Sequence, residues 1–203
     1  MDQFLHLVSQ HQLFLKQSKC DFGASEVEYL GHLVGKDGIK VDLKKIEAMQ
    51  DWPHPKNLKR LRGFLGLTSY YRKFVKNYGK IATPLTALLK KNSFTWTPAV
   101  AQDFQTLKMA MCTTPVLALP DFTKTFVLEC DASRKGIGVV LMQEGQLLAF
   151  TNKQLSKRNL GKSIYEKEML AIQHVVDLWR PYLLGQLFQI KTDHQSLKYF
   201  LEQ

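Results

Sequence analysis

The pattern of hydrophobic and polar positions changes near residue 120. From about residue 42 up to that point, apolar side chains recur three and four residues apart, and helix-capping residues precede these runs. From residue 126 onward, short apolar and β-branched runs alternate with turn residues, which is typical of strands. A helical part followed by a mixed sheet with packed helices predicts an α+β fold.

The first 41 residues predict one helix and one hairpin. Apolar residues from Phe4 to about Leu15 have helical spacing. Two strands, at 27–34 and 39–41, flank a turn at 35–38. Because a two-stranded hairpin rarely stands alone in water, we interpret this one as the tail of a larger sheet.

Capping residues place the helices of the middle segment. Asp42, Asn57 and Thr97 each precede an apolar run and can accept a backbone N–H at a helix start. Phe94 and Trp96 are predicted as core aromatics, with stacking on nucleic-acid bases as the alternative. The predicted helices are 43–51, 58 to about 75, 84–91 and 98 to about 112.

The C-terminal segment predicts an antiparallel meander, a long helix, a returning strand and a last helix. The returning strand has to join the sheet of the first three to bury its apolar face. In chain order these elements are 126–131, 138–143, 146–150, 163 to about 180, 187–192 and about 195 to the end.

The formal net charge of +10 is concentrated in one segment. Residues 36–91 hold 14 of the 28 Lys and Arg residues but only four of the 18 Asp and Glu residues. Such a segment is typical of a surface that binds nucleic acid, although a basic face kept for solubility is the alternative. The predicted contact residues lie on and beside the helix that begins at residue 58: Lys56, Lys59, Arg60, Arg62, Arg72, Lys73 and Lys76.

Several absences predict an intracellular, cytoplasmic protein without a membrane partner. No run approaches the ~18 uninterrupted apolar residues of a membrane span. The first residues lack the basic start and apolar stretch of a signal peptide. Cys20, Cys112 and Cys130 are far apart and lack metal-ligand spacing, so reduced thiols are expected.

Three acids lie where the C-terminal elements can bring them together. On the long helix, Glu168 falls near the middle of the apolar face, whereas Glu166 falls on the polar face. A carboxylate that faces a core is costly unless it is paired or binds a cation. Asp131 ends the first strand and Asp193 ends the fourth, so both can meet Glu168 at one edge of the sheet.

Three carboxylates at one edge of a sheet predict a divalent metal site. Without nearby His or Cys ligands, it suits Mg²⁺ or Mn²⁺ better than zinc. Two such ions about 3.5–4 Å apart can activate water and stabilise the leaving oxygen of a phosphodiester. Asp131, Glu168 and Asp193 are therefore the predicted catalytic and metal-binding residues. The same spacing also allows the two aspartates to be turn or cap residues and Glu168 to be partly exposed.

Seven short motifs extend over most of the chain. They are YLGH at 29–32, LRGFLGL at 61–67, YYRKF at 70–74, PVL at 115–117, CDAS at 130–133, EKEMLAI at 166–172 and TDH at 192–194. In this order, they closely resemble the reverse transcriptase of gypsy-type LTR retrotransposons. The resemblance implies a palm tail at 1–41, a helical basic thumb and connection region at 42–120, and an RNase H-like domain at 121–203 that is truncated at its C-terminus.

The resemblance also implies site residues and partners. The RNase H carboxylates of that family match Asp131, Glu168 and Asp193. Its primer-grip region resembles the strand that contains Leu30, Gly31 and His32. The implied partners are an RNA–DNA hybrid or DNA duplex and the remaining segments of a Pol polyprotein, inside a cytoplasmic virus-like particle.

Two features of the family pattern are missing. The chain contains no Asp-Asp pair, which the polymerase chemistry of the family requires, and it ends at Gln203 before a fourth RNase H acid. We therefore expect a fragment of a Pol polyprotein whose family activity is RNA-directed DNA polymerase with RNase H hydrolysis. As a fragment, it is expected to lack the polymerase site and to be catalytically incomplete. The alternative is a non-catalytic, nucleic-acid-binding remnant that keeps the fold.

Overall fold

The computed structural model describes residues 2–133 and 136–192, and it confirms the predicted α+β fold. Asp193 and the predicted last helix lie outside the described residues. In the described part, no helix is long and apolar enough to cross a membrane. The helices are α1 Asp2–Gln10, α2 Leu43–Gln50, α3 Leu58–Tyr70, α4 Tyr78–Ala87, α5 Pro98–Cys112, α6 Lys157–Leu160, α7 Ile164–Leu178 and α8 Arg180–Leu183. The strands are β1 Glu26–Tyr29, β2 His32–Gly35, β3 Gly38–Val41, β4 Phe126–Ala132, β5 Gly136–Gln143, β6 Gln146–Gln154 and β7 Phe188–Thr192.

The N-terminal segment forms a three-stranded antiparallel sheet in the order β1-β2-β3. The prediction of one strand over 27–34 was wrong, because the chain reverses at Leu30 and Gly31. Both residues have positive φ, at 50° and 74°. Two consecutive positive φ values are the geometry of a two-residue hairpin turn. The predicted primer-grip residues therefore lie in and beside a turn and not along one strand.

Helices α2 to α5 enclose the first hydrophobic core. The predicted caps are confirmed: Asp42 accepts from Lys44 N at 3.0 Å, and Asn57 accepts from Arg60 N at 3.0 Å. Thr97 likewise caps α5. Phe94 and Trp96 pack against this core, in agreement with their prediction as core aromatics.

Two helix boundaries in this core differ from the prediction. Helix α3 ends at Tyr70, and a 3₁₀ turn over Arg72–Phe74 replaces its expected last turn. Helix α4 begins at Tyr78 and contains Pro84, although proline in a helix interior costs about 3 kcal/mol. Buried Tyr78, Ala82 and Leu85 pack on the core from α4, and this burial offsets the cost of the proline.

The second sheet has the order β6-β5-β4-β7. Strand β5 is antiparallel to both β4 and β6, and β7 is parallel to β4. The predicted meander and returning strand are thus confirmed. Burial alternates along β4, where Leu128 and Cys130 are buried and Glu129 and Asp131 are exposed. The buried face packs against α7 to form the second core.

The helical core and the second sheet are held together by backbone and side-chain hydrogen bonds. Ala118 N donates to Leu147 O at 2.6 Å. At the start of α4, Asn77 makes no side-chain capping bond, and Asn152 of β6 accepts from Gly79 N at 2.7 Å instead. A residue of the sheet therefore caps a helix of the other core.

We expect Asn152→Ala to lower the free energy of unfolding by about 1–2 kcal/mol, because the Gly79 N–H loses its acceptor in a partly buried position. Thermal or urea denaturation measures this loss. Asn152→Asp is the matched control, since it keeps an acceptor and adds a negative charge at a helix N-terminus. Equal stability of the alanine variant and the wild type would contradict the capping role.

Candidate metal centre and nucleic-acid interface

Glu168 lies inside the second core, as its helical position predicts. Its residue is 1% exposed, and α7 presents Ala171 and Val175 on the same buried face. Thr192 Oγ1, at the end of β7, donates a hydrogen bond of 2.8 Å to Glu168 Oε2. Glu168 forms no salt bridge with any residue that the structure describes. A buried carboxylate with a neutral hydroxyl partner is chemically suited to bind a cation.

Asp131 lies near the end of β4 and is exposed. It lines a cavity of about 430 Å³ between the sheet and the segment that leads into α4. Lys76 and Asn77 contribute from that segment, and Glu129 and Thr192 contribute from the sheet. The residues that line the cavity from these two sides thus include carboxylate, amide and ammonium side chains.

Thr192 lies next to both Glu168 and this cavity. It pairs with Cys130 across β4 and β7, binds Glu168 and also lines the cavity. Asp131, in contrast, follows Cys130 and points to the opposite face of the strand. Within residues 2–133 and 136–192, no three His, Cys, Asp or Glu residues lie close enough together to hold a metal ion. The three-acid site that includes Asp193 stays a prediction.

The donor chemistry around Glu168 suits a hard cation. Burial, and next the charge of Glu168, raise the pKa of the Cys130 thiol to about 12. This thiol is therefore protonated at neutral pH and does not act as a thiolate ligand. The remaining donor there is the Glu168 carboxylate, whose oxygens are ligands that Mg²⁺ and Mn²⁺ prefer, and Asp131 offers the same kind of ligand on the opposite face of β4.

The start of α7 explains why neighbouring glutamates have different roles. Ser163 and Glu166 form a capping box, in which the Glu166 carboxylate accepts from Ser163 N at 2.9 Å and the Ser163 hydroxyl accepts from Glu166 N. Lys162 forms a salt bridge of 3.0 Å with Glu166. The hydrogen bonds from Ser163 and Lys162 lower the pKa of Glu166 to about 2. Glu166 is thus the partner of the Ser163 cap, and its exposed position agrees with the prediction.

We expect the helix content of α7 to fall when the pH is lowered through the range from about 4.5 to about 2. The folded-state pKa of Glu166 is lower than its ordinary value, so its stabilising effect is complete above 4.5 and is lost as the carboxylate gains a proton. Thermal melts monitored by far-UV circular dichroism measure the effect. Glu166→Gln should remove this part of the pH dependence, and an identical acid profile in the variant would contradict the prediction.

The predicted basic residues form an exposed surface on and beside α3. Lys73 is the exception, because it is half-buried with its Nζ 5.3 Å from the Phe74 ring centroid, and burial lowers its pKa. No salt bridge neutralises any of the seven within the described part of the chain. The six exposed residues are Lys56, Lys59, Arg60, Arg62, Arg72 and Lys76.

Sequence reasoning missed two polar pairings. Thr192 was not identified as the partner of Glu168, and Asn152 was not identified as the cap of α4. In both pairs the partners are far apart along the chain, and no local pattern connects them. The motifs at 166–172 and 192–194 each contain one partner of the first pair, but neither motif indicates the contact between them.

Comparisons with known proteins place this fold in a family. A family model described as the RNase H-like domain found in reverse transcriptase matches residues 96–190. The Retrovirus-related Pol polyprotein from transposon 297 of Drosophila melanogaster is 43% identical over 189 residues, which are 92% of this chain and 18% of the polyprotein. The transposon Tf2-3 polyprotein of Schizosaccharomyces pombe is 35% identical over 201 residues, covering 95% of this chain and 15% of the polyprotein. An uncharacterized mitochondrial protein of Arabidopsis thaliana is 54% identical over 125 residues, which are 61% of this chain and 79% of that protein.

Solved structures show the same fold at lower identity. The foamy viral protease-reverse transcriptase in complex with RNA/DNA hybrid has a TM-score of 0.80 and 22% identity, over 90% of this chain and 26% of that chain. The same viral protein in complex with dsDNA gives a TM-score of 0.79, also at 22% identity, over 89% of this chain and 39% of that chain.

The chain belongs to the family of retrotransposon Pol polyproteins and contains an RNase H-like domain of the kind found in reverse transcriptase. It spans 18% of the length of the transposon 297 polyprotein. The matched domain begins at Trp96, so it includes α5 as well as the second sheet.

Proposed function

We propose that this chain binds duplex nucleic acid as part of a gypsy-type retrotransposon reverse transcriptase. In the intact enzyme, Asp131, Glu168 and Asp193 would serve in hydrolysing the RNA strand of RNA–DNA hybrids. The observation that carries the proposal is the Glu168 carboxylate, buried to 1% exposure and bonded to Thr192 at the end of β7. The residue after Thr192 is Asp193, which the family resemblance assigns to the same site.

The proposed cofactor is Mg²⁺ or Mn²⁺, held by the three carboxylates. Bound divalent cations activate water and stabilise the leaving oxygen in phosphodiester hydrolysis. The protein contributes by keeping Glu168 rigid. Its helix is anchored by the Ser163–Glu166 capping box, and its carboxylate is oriented by the Thr192 hydroxyl.

The proposed ligand is an RNA–DNA hybrid or a DNA duplex. Six of the seven predicted contact residues are exposed, and none has an acidic partner among the described residues. Backbone phosphates are the natural partners of such a surface. The relatives of known structure are complexes with dsDNA and with RNA/DNA hybrid, which supports this choice.

A second candidate is a nucleic-acid-binding protein without catalytic activity. The observation that favours it is the placement of Asp131 and Glu168 on opposite sides of β4, with no three-residue ligand group within the described ranges. The two candidates share the basic surface and differ in metal binding and cleavage.

One assay on the full chain separates the two candidates. A hybrid with fluorescently labelled RNA is incubated with the protein in Mn²⁺, in Mg²⁺ and in excess chelator, and binding to the same hybrid is measured in parallel by anisotropy. Cleavage that requires the cation supports the nuclease proposal. Salt-sensitive binding without cleavage selects the second candidate, and absence of binding overturns both.

A further inference from the structure

The turn between β1 and β2 has an unusual backbone. Leu30 has a φ of 50°, in the left-handed region that a side chain with a Cβ atom disfavours. Its side chain is also 68% exposed, so no apolar packing accounts for the conformation. Strain of this kind persists only where the surroundings determine it, and it is frequent at functional sites.

Two tyrosines from the end of α3 hold this turn. The Tyr70 hydroxyl donates to Leu30 O at 2.8 Å, and the Tyr71 hydroxyl donates to Gly31 O at 3.1 Å. His32 stacks on the Tyr70 ring, with centroids 5.5 Å apart and planes 6° apart. The carbonyls of both turn residues are therefore bound by the helix that carries the basic surface.

The surroundings of the turn contain exposed apolar side chains and charged groups of both signs. Tyr29 is 64% exposed beside Leu30. A Cβ atom on Gly31 would lie 3.9 Å from the Cε atom of Lys45. Burial, and next the charge of Lys73, lower the pKa of His32, whereas burial, then Tyr70 and then the charges of Asp42 and Glu28 raise the pKa of Tyr71. Tyr29 and Leu30 therefore form an exposed, uncharged tip, and side chains such as tyrosine contact the sugar–phosphate backbone of nucleic acids.

We propose that Tyr70 and Tyr71 are positioning residues for nucleic-acid binding. Their hydroxyls form a clasp that keeps the turn over 29–32 in one conformation, so that the turn and α3 present one continuous surface to the backbone of a duplex. Without the clasp, Leu30 leaves its disfavoured conformation and the turn moves away from α3. The inference rests on the proposed duplex-binding function and on the predicted primer-grip residues, and it adds the positioning role of the two tyrosines.

The experiment measures the affinity of the full chain for a fluorescent DNA duplex, by anisotropy, at several salt concentrations. The double variant Tyr70→Phe/Tyr71→Phe removes only the two hydroxyls. Gly31→Ala disrupts the clasp from the other side, because its Cβ would lie 2.7 Å from the Tyr71 hydroxyl oxygen. Both should bind about tenfold more weakly than wild type, which corresponds to the loss of one or two net hydrogen bonds. The slope of log affinity against log salt concentration should not change, because neither variant removes a cationic side chain and only cation–phosphate contacts release counterions.

Matched controls separate positioning from stability. Tyr78→Phe also removes a tyrosine hydroxyl bond, here to Thr68 at 2.9 Å, but it does not touch the turn. Gly145→Ala introduces a side chain at a φ of 79° in another hairpin turn with open space around it. Both controls should stay within about twofold of wild-type affinity, even where their melting temperatures fall.

Each outcome decides one proposal. Unchanged affinity of the clasp variants, or an equal loss in the controls, overturns the positioning role and leaves duplex binding intact. A wild-type chain that does not bind the duplex overturns the proposed function and the clasp with it. Should the double variant fail to fold, Tyr70→Phe alone carries the test, since that residue is 52% exposed.

Discussion

Replacing Asp131 by asparagine is expected to lower Mn²⁺ affinity and metal-dependent hybrid cleavage by at least about 100-fold. Mutation of a residue that only hydrogen-bonds to a metal ligand typically lowers metal affinity or activity 10–100-fold. Asp131 is proposed as a ligand itself, so its loss should cost at least as much. The change keeps the size of the side chain and removes its charge. Because Asp131 is exposed near the end of β4, the fold and the melting temperature should change little. Calorimetric titration with Mn²⁺ and the labelled-hybrid assay measure the two effects.

The neighbours of the proposed ligands supply matched controls. Glu129→Gln removes a carboxylate from the same strand, the same face and the same cavity as Asp131. On α7, Glu168→Gln should match the effect of Asp131→Asn, whereas Glu166→Gln should retain metal binding. Equal losses in all four variants would indicate a general effect of charge. Full metal binding by the Asp131 and Glu168 variants would exclude the proposed site.

Neutralising four exposed basic residues together is expected to weaken duplex binding by about 10³-fold at about 0.15 M salt. In a plot of log affinity against log salt concentration, each phosphate contact adds about 0.9 to the steepness of the line. Loss of four contacts should therefore make the line less steep by about 3.6. All four residues are exposed, so their loss should leave the core intact. The variant changes Lys59, Arg60, Arg62 and Arg72 to glutamine.

A second variant with the same change in net charge is the control for this prediction. It replaces exposed basic residues that lie away from α3: Lys16, Lys19, Lys157 and Arg158. Its affinity should fall much less, because only long-range attraction changes and salt screens that attraction within about 8 Å. Similar losses in both variants would mean that net charge, and not the surface around α3, determines binding.

Local rules predicted the starts of α2, α3 and α5 and the strands of the second sheet. The caps at Asp42, Asn57 and Thr97 are where their side chains indicated, since capping depends on residues two or three positions away. The burial of Glu168 also followed from its angular position on α7. Lys167 on the same helix is buried too, and helical periodicity alone did not predict it.

The errors lie where packing overrides local preference. The turn at Leu30 was missed because leucine disfavours a left-handed backbone, and two tyrosines 40 residues away stabilise it there. The start of α4 was placed at Pro84, because proline normally marks the first turn of a helix. Burial of Tyr78 on the core extends the helix toward its N-terminus in spite of that proline.

The amino-acid sequence alone determines the order of α2 to α5, the strands of the second sheet, the caps of α2, α3 and α5, the basic segment around α3 and the inward direction of Glu168. Each of these depends on residues within one or two turns of one another, or on charge summed along the chain. Only the tertiary structure shows that Thr192 binds Glu168, that Asn152 caps α4 and that Tyr70 and Tyr71 hold the turn at Leu30. These contacts join residues between 24 and 73 positions apart, and their geometry exists only after the two cores have packed.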